Sequence, residues 1–130
     1  MPRRSRIALL AQGIYYLATG LWSLVDIESF ERITGPKMDR WLVKTVGTLL
    51  VIDGAVMTLA VRRERVTPEV ALLGLGTALG VAAIDVVYAL RGRISPVYLL
   101  DAAAEIVLAS GVGTAAREVS QERQRAESRK

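Results

Sequence analysis

Apolar residues dominate four stretches of this chain, residues 6–25, 41–61, 70–90 and 96–116, separated by short segments rich in charge. A hydrocarbon core about 30 Å thick is crossed by about 20 helical residues, so each stretch is of membrane-spanning length. A soluble bundle would need a charged face on every helix. Residues 46–61, however, hold Asp53 as their one ionisable residue, and residues 70–84 hold none. The pattern therefore predicts an all-α fold, a four-helix transmembrane bundle of two helical hairpins, with residues 1–116 as the membrane domain and 117–130 as a charged tail.

Helix starts can be read from hydroxyl caps and prolines. Proline is tolerated at the first helical position, where its missing N–H would have no partner. Thr67-Pro68-Glu69, Ser95-Pro96, Gly35-Pro36 and Pro2 supply four such starts for four helices. The longest connection, residues 26–40, carries Ile27, Phe30 and Ile33 three apart, which fits a short helix on the outer surface as well as a solvated loop. A weak internal repeat aligns Trp41-Leu42-Val43-Lys44 and Gly54 with Tyr98-Leu99-Leu100-Asp101 and Gly111, as the second arms of two hairpins.

Inside the apolar stretches, polar and small residues fall at helical spacing. Gln12, Tyr15, Tyr16, Thr19 and Ser23 share a face of the first span; Gly74, Thr77, Ala78, Val81, Asp85 and Tyr88 share one on the third; Tyr98, Asp101, Glu105 and Leu108 share one on the fourth. Asp53 lies on a face of the second span with Val46, Leu50 and Met57. A carboxylate at membrane depth costs at least about 2.5 kcal/mol on insertion scales, so these four acids should face the bundle interior or a wet cavity. Asp53 and Glu105 fall near the middle of the membrane, where either is expected to be neutral or to share a proton with a neighbour, while Asp85, Asp101, Lys44, Tyr88 and Tyr98 fall in the outer half. Lys44 is placed either to snorkel to the outer boundary or to form an ion pair with Asp101 or Asp85. Trp22, Trp41 and Tyr98 fit an interfacial aromatic belt, and Gly76-x-x-x-Gly80 fits close helix packing or a homodimer seam.

Composition narrows the chemistry. The 130 residues are 52% hydrophobic and include no cysteine and no histidine, which removes disulfides, thiol nucleophiles, haem ligation and thiolate or imidazole metal sites; no metal or cofactor is expected. Met-Pro-Arg-Arg-Ser-Arg followed by an apolar run has the look of a secretory signal, but the run is too long and Gln12 interrupts it. The net charge of +4 is mostly a topology signal. Arg3, Arg4, Arg6, the arginines of 62–65 and the basic residues beyond 116 fall on one side, against Arg32, Lys37, Arg40, Arg91 and Arg93 on the other. The positive-inside rule then puts both termini in the cytoplasm, with the bacterial inner (plasma) membrane as the expected location. The basic residues border the membrane without interleaved aromatics, so no nucleic-acid partner is expected.

These features predict an outward-opening acidic pocket built from Glu105, Asp101, Asp85, Asp53, Tyr16, Thr19 and Tyr88. Its leading function is binding or transport of a small hydrophobic or cationic ligand, proton coupling being one mode, with a homodimer needed for transport because four helices enclose little room. A membrane-embedded enzyme acting on a lipid, sterol or terpenoid is the alternative, with Asp101, Glu105, Asp85 and Asp53 as its acid and base groups. A structural or accessory subunit is the third reading.

Overall fold

The computed structural model describes residues 3–130, which form five helices: α1 (Arg3–Val25), α2 (Ile27–Thr34), α3 (Arg40–Arg62), α4 (Pro68–Leu90) and α5 (Tyr98–Glu127). Four of them, α1, α3, α4 and α5, are long and apolar enough to cross a membrane. They pair as two hairpins, α1 with α3 and α4 with α5, and α1 also packs along α5. Helix α1 is thus the hub on which the second arms of both hairpins meet.

Local chemistry sets the boundaries. Thr67 accepts a hydrogen bond from the Val70 N–H, and Pro68 opens α4. Pro96 belongs to a tight turn, with Tyr98 N–H donating to Ser95 and Leu99 N–H to Pro96, that runs directly into α5. Pro36 departs from the expected position: it lies in the link between α2 and α3, ahead of Asp39, which stands at the N-cap position of α3 without a side-chain capping bond. The start assigned to Pro2 lies outside the described residues. Helix α4 ends with Gly92 at a φ of 69° and a hydrogen bond from Arg93 N–H back to Tyr88, the left-handed stop that glycine favours. Helix α3 ends the same way on Glu64, at a φ of 54°, where a side chain makes the conformation costlier.

The α1–α3 seam is backbone against backbone. A Cβ on Gly54 would lie 2.5 Å from the Gly13 carbonyl oxygen, and one on Gly20 would lie 2.5 Å from that of Gly47. No larger residue fits without separating the helices, the close approach that small residues permit in membranes. Gly111 of α5 meets Ala8 of α1 similarly, a Cβ there coming within 2.7 Å of the alanine methyl. The repeat-related Gly54 and Gly111 therefore both pack on α1. Leu9, Tyr16, Met57, Val61, Val112 and Ala115 fill the interior, while Ile7, Ile14, Leu72, Leu79 and Val107 point outward, as a lipid-facing surface requires.

Two rims close the bundle. At one, Arg6 pairs with Glu64 at 3.1 Å and the Ser5 hydroxyl donates to Glu118, joining α1, the α3–α4 turn and α5. At the other lies α2, its Phe30 and Thr34 buried and its Ile33 58% exposed. The expected apolar set Ile27, Phe30, Ile33 is therefore rotated: the inward pair is Phe30 and Thr34, four apart.

Candidate functional site

Helix α2 is fixed in place by four residues, Asp26, Trp22, Lys37 and Arg40, and this makes it part of a site. Asp26 caps it, accepting from the Ser29 N–H at 3.1 Å. That hydrogen bond, with a second contribution from the Ser29 side chain, holds the Asp26 carboxyl below the usual carboxylate range. The Trp22 indole donates to Ser29 Oγ at 2.7 Å and meets Phe30 edge-to-face with ring centroids 5.2 Å apart. Arg40 grips Glu31 in a two-pronged ion pair with bonds of 3.1 and 2.7 Å. Lys37 donates to the Thr34 and Gly35 carbonyls and sits 4.8 Å from the centre of the Tyr98 ring.

Beneath α2 is a cavity of about 290 Å³ between α1 and α5. Trp22, Phe30 and Tyr98 give it aromatic walls, Tyr15 and Thr19 line its α1 side, and Asp101 is its one carboxyl. The Tyr15 hydroxyl donates to Asp101. Tyr15 also borders a second, apolar groove between α1 and α5, lined by Ala11, Ala103, Ala104, Val107 and Leu108.

One turn deeper, the chemistry is different. Glu105 is 1% exposed and accepts from the Tyr16 hydroxyl at 2.7 Å; Tyr16 accepts from Gln12 Nε2 at 3.1 Å, and Gln12 donates to the Gly74 carbonyl at 2.6 Å. This chain stitches α5, α1 and α4 through groups with no water contact. Asp85 of α4 is 5% exposed, lies within hydrogen-bonding reach of Asp101, and has one oxygen, Oδ2, without a partner.

The predicted site residues thus fall into separate places. Asp101 and Thr19 reach the cavity, joined there by Tyr15, which was placed on the α1 stripe but not in the predicted pocket; Glu105, Tyr16 and Asp85 lie next to it without lining it. Asp53 stands apart, accepting from Thr77 at 3.2 Å between α3 and α4, because α3 packs through its Gly47–Gly54 face on α1. Tyr88 is 44% exposed: the buried face of α4 runs through Ala71, Gly74, Ala78, Ala82 and Asp85, and Tyr88 lies to one side of it. Lys44 is exposed and forms no ion pair with Asp101, since α3 leans on α1 and barely touches α5. Trp22 and Tyr98, expected in an interfacial belt, line the cavity instead, while Trp41 is 66% exposed.

Phe30, Thr34, Val97 and Leu100 line the cavity and were not anticipated from sequence. The i, i+4 spacing of Phe30 and Thr34 was the available signal for α2. A carboxylate set in a wall of aromatic rings is suited to an ammonium group or a hydrogen-bond donor with an apolar body. Comparison with protein-family models, with curated proteins and with solved structures finds no match to this chain.

Proposed function

We propose that the protein is a ligand-binding membrane protein whose cavity takes a small apolar molecule bearing an ammonium group. The observation that carries this is the position of Asp101, the single carboxyl on a cavity wall that it shares with Trp22, Phe30 and Tyr98. The body of such a ligand would contact the rings, and its cation would meet Asp101. The enzyme reading rests on paired carboxylates, and Asp101 is the one carboxyl on the cavity wall, which favours binding over chemistry.

The charge bias of the flanking segments supports a plasma-membrane orientation with both termini cytoplasmic. The cavity, beneath α2, would then open on the outer side, and transport would need an alternative arrangement that releases the ligand inward.

Trp22 is a built-in reporter, because the chain has two tryptophans and the other, Trp41, is exposed. In a Trp41→Phe background, phenethylamine should change Trp22 fluorescence saturably, and 2-phenylethanol, of similar shape and without charge, should bind at least about tenfold more weakly, the effect of one lost charged contact of about 1.5 kcal/mol. Asp101→Asn should remove that preference. Equal binding of amine and alcohol would overturn the assignment. Mass spectrometry of small molecules that co-purify with the detergent-extracted protein would then identify the natural ligand.

A further inference from the structure

Asp85 presents a problem that the ligand-binding reading does not solve. Its carboxyl is 5% exposed, its Oδ2 has no partner, and its neighbour is the carboxyl of Asp101. The charged and titratable groups around the pair come from α1 and α5, while Asp53 of α3, which also packs on α4, is held by Thr77. Helix α1 brings Tyr15, which donates to Asp101, and Tyr16, which donates to Glu105; α5 brings Asp101 and Glu105 themselves. Lys37 is at the cavity mouth, committed to the Thr34 and Gly35 carbonyls and to the Tyr98 ring. Among the described residues no lysine or arginine forms an ion pair with Asp85, Asp101 or Glu105.

Two carboxyl groups in hydrogen-bonding reach, without a cation, attract one another only when a proton lies between them. The unpartnered oxygen and the missing countercharge therefore have one explanation. We infer that Asp85 and Asp101 together hold a proton, and that a cationic ligand entering the cavity competes with that proton for Asp101. The sequence directs attention to Glu105 and Asp53 as the acids that hold or share a proton, but Glu105 already has a hydrogen-bond donor in Tyr16 and Asp53 has one in Thr77. Asp85 differs in having a second carboxyl as its neighbour and no hydroxyl donor.

The exchange balances without any other reactant. An ammonium ion docks on Asp101 as one proton leaves the carboxyl pair for bulk water, so the charge buried in the site is conserved. Cation affinity consequently rises with pH, by at most about tenfold per pH unit for one proton exchanged. The inference rests on the ligand-binding reading above and deepens it by naming the group through which protons regulate the site.

The experiment titrates phenethylamine against Trp22 fluorescence from about pH 5 to pH 8, a range over which an alkyl amine stays protonated. Wild type should bind more tightly as pH rises, and Glu105→Gln should keep that slope. Asp85→Asn should bind the amine with a slope near zero. Because Asp85→Asn changes a buried group, the wild-type protein carries a second readout that is independent of folding yield. With 13C-labelled aspartate, infrared difference spectra should show loss of a protonated-carboxyl band, shifted by the label, when the amine binds. A flat wild-type profile, a slope that survives in Asp85→Asn, or a carboxyl band that ignores the aspartate label would each overturn the inference while leaving amine binding intact. Absence of amine binding at every pH would instead remove the ligand reading on which it rests.

Discussion

Replacing Tyr16 with phenylalanine isolates the hydrogen-bonded chain that joins three helices. The ring stays, so packing against Leu9, Met57 and Val112 is conserved, and only the hydroxyl is lost. That hydroxyl donates to Glu105 at 2.7 Å and accepts from Gln12 at 3.1 Å. Tyr16, Gln12 and Glu105 are each at most 1% exposed, so water cannot take its place without rearrangement. The one interhelical bond, to Glu105, at the membrane-protein average of about 0.6 kcal/mol, with about 0.2 to 0.5 kcal/mol for the i, i+4 bond to Gln12 within α1, gives a lower figure near 1 kcal/mol. Leaving a buried acceptor with no donor gives an upper figure of about 3 kcal/mol. Tyr16→Phe should therefore destabilise the fold by about 1 to 3 kcal/mol, measured by reversible unfolding in mixed micelles.

A double-mutant cycle sharpens the test. Glu105→Met removes the acceptor, and the Tyr16→Phe, Glu105→Met pair should cost less than the two single changes added, because neither polar group is then left alone. A loss below about 0.5 kcal/mol in Tyr16→Phe, or strict additivity in the pair, would refute the buried chain.

Three further predictions follow from the seams, α2 and the charge pattern. Gly54→Ala should break the α1–α3 seam and lower folded yield, since its methyl would lie 2.5 Å from the Gly13 carbonyl, whereas Gly76→Ala, with nothing within 4 Å, should be neutral or gain up to about 1 kcal/mol from helix propensity. Because Asp26 is held below the usual carboxylate range in the folded protein, its contribution to α2 is present above the unfolded-state value and disappears as pH falls through the lower folded-state value; protection of the Ser29 amide, taken relative to its intrinsic exchange rate at each pH, should fall there, and protection unchanged by acid would sink the capping account. In this cysteine-free chain, Arg32→Cys should react with a membrane-impermeant maleimide on intact cells and Ser128→Cys only after lysis; the reverse pattern would invert the proposed orientation.

The spans and their pairing were legible because membrane length and helical phase are strong signals. The α1 stripe also held: Gln12, Tyr16 and Ser23 are buried, and Tyr15 and Thr19 half-buried. Phase alone does not say which neighbour a face meets. Asp53 and Asp101 are both turned at least partly inward, but the glycine seam draws α3 onto α1 and leaves Asp53 with Thr77 rather than with the other acids. Tyr88 shows a second limit. Its spacing from Asp85 fits a broad stripe, yet the contact face is narrow and runs along Ala71, Ala78 and Ala82, which carry little signal of their own. The orientation of α2 depends on Trp22 and Arg40, partners from two different helices, and no local pattern encodes that.

The hub position of α1 has a consequence for biogenesis. Helices enter the bilayer in chain order, so Gln12, Tyr15 and Tyr16 are committed to the membrane long before Asp101 and Glu105 are synthesised. The glycine seam can join α3 to α1 early, since it needs only backbone. The hydroxyl and amide groups of α1 must wait for α4 and α5, with Gly74 and Glu105 as their eventual partners. The first hairpin is therefore a half-satisfied intermediate with a polar flank, dependent on the second hairpin for completion. A chaperone or insertase that shields that flank would act between the synthesis of α3 and the arrival of α5, the interval in which quality control is best able to distinguish a finished bundle from an arrested one.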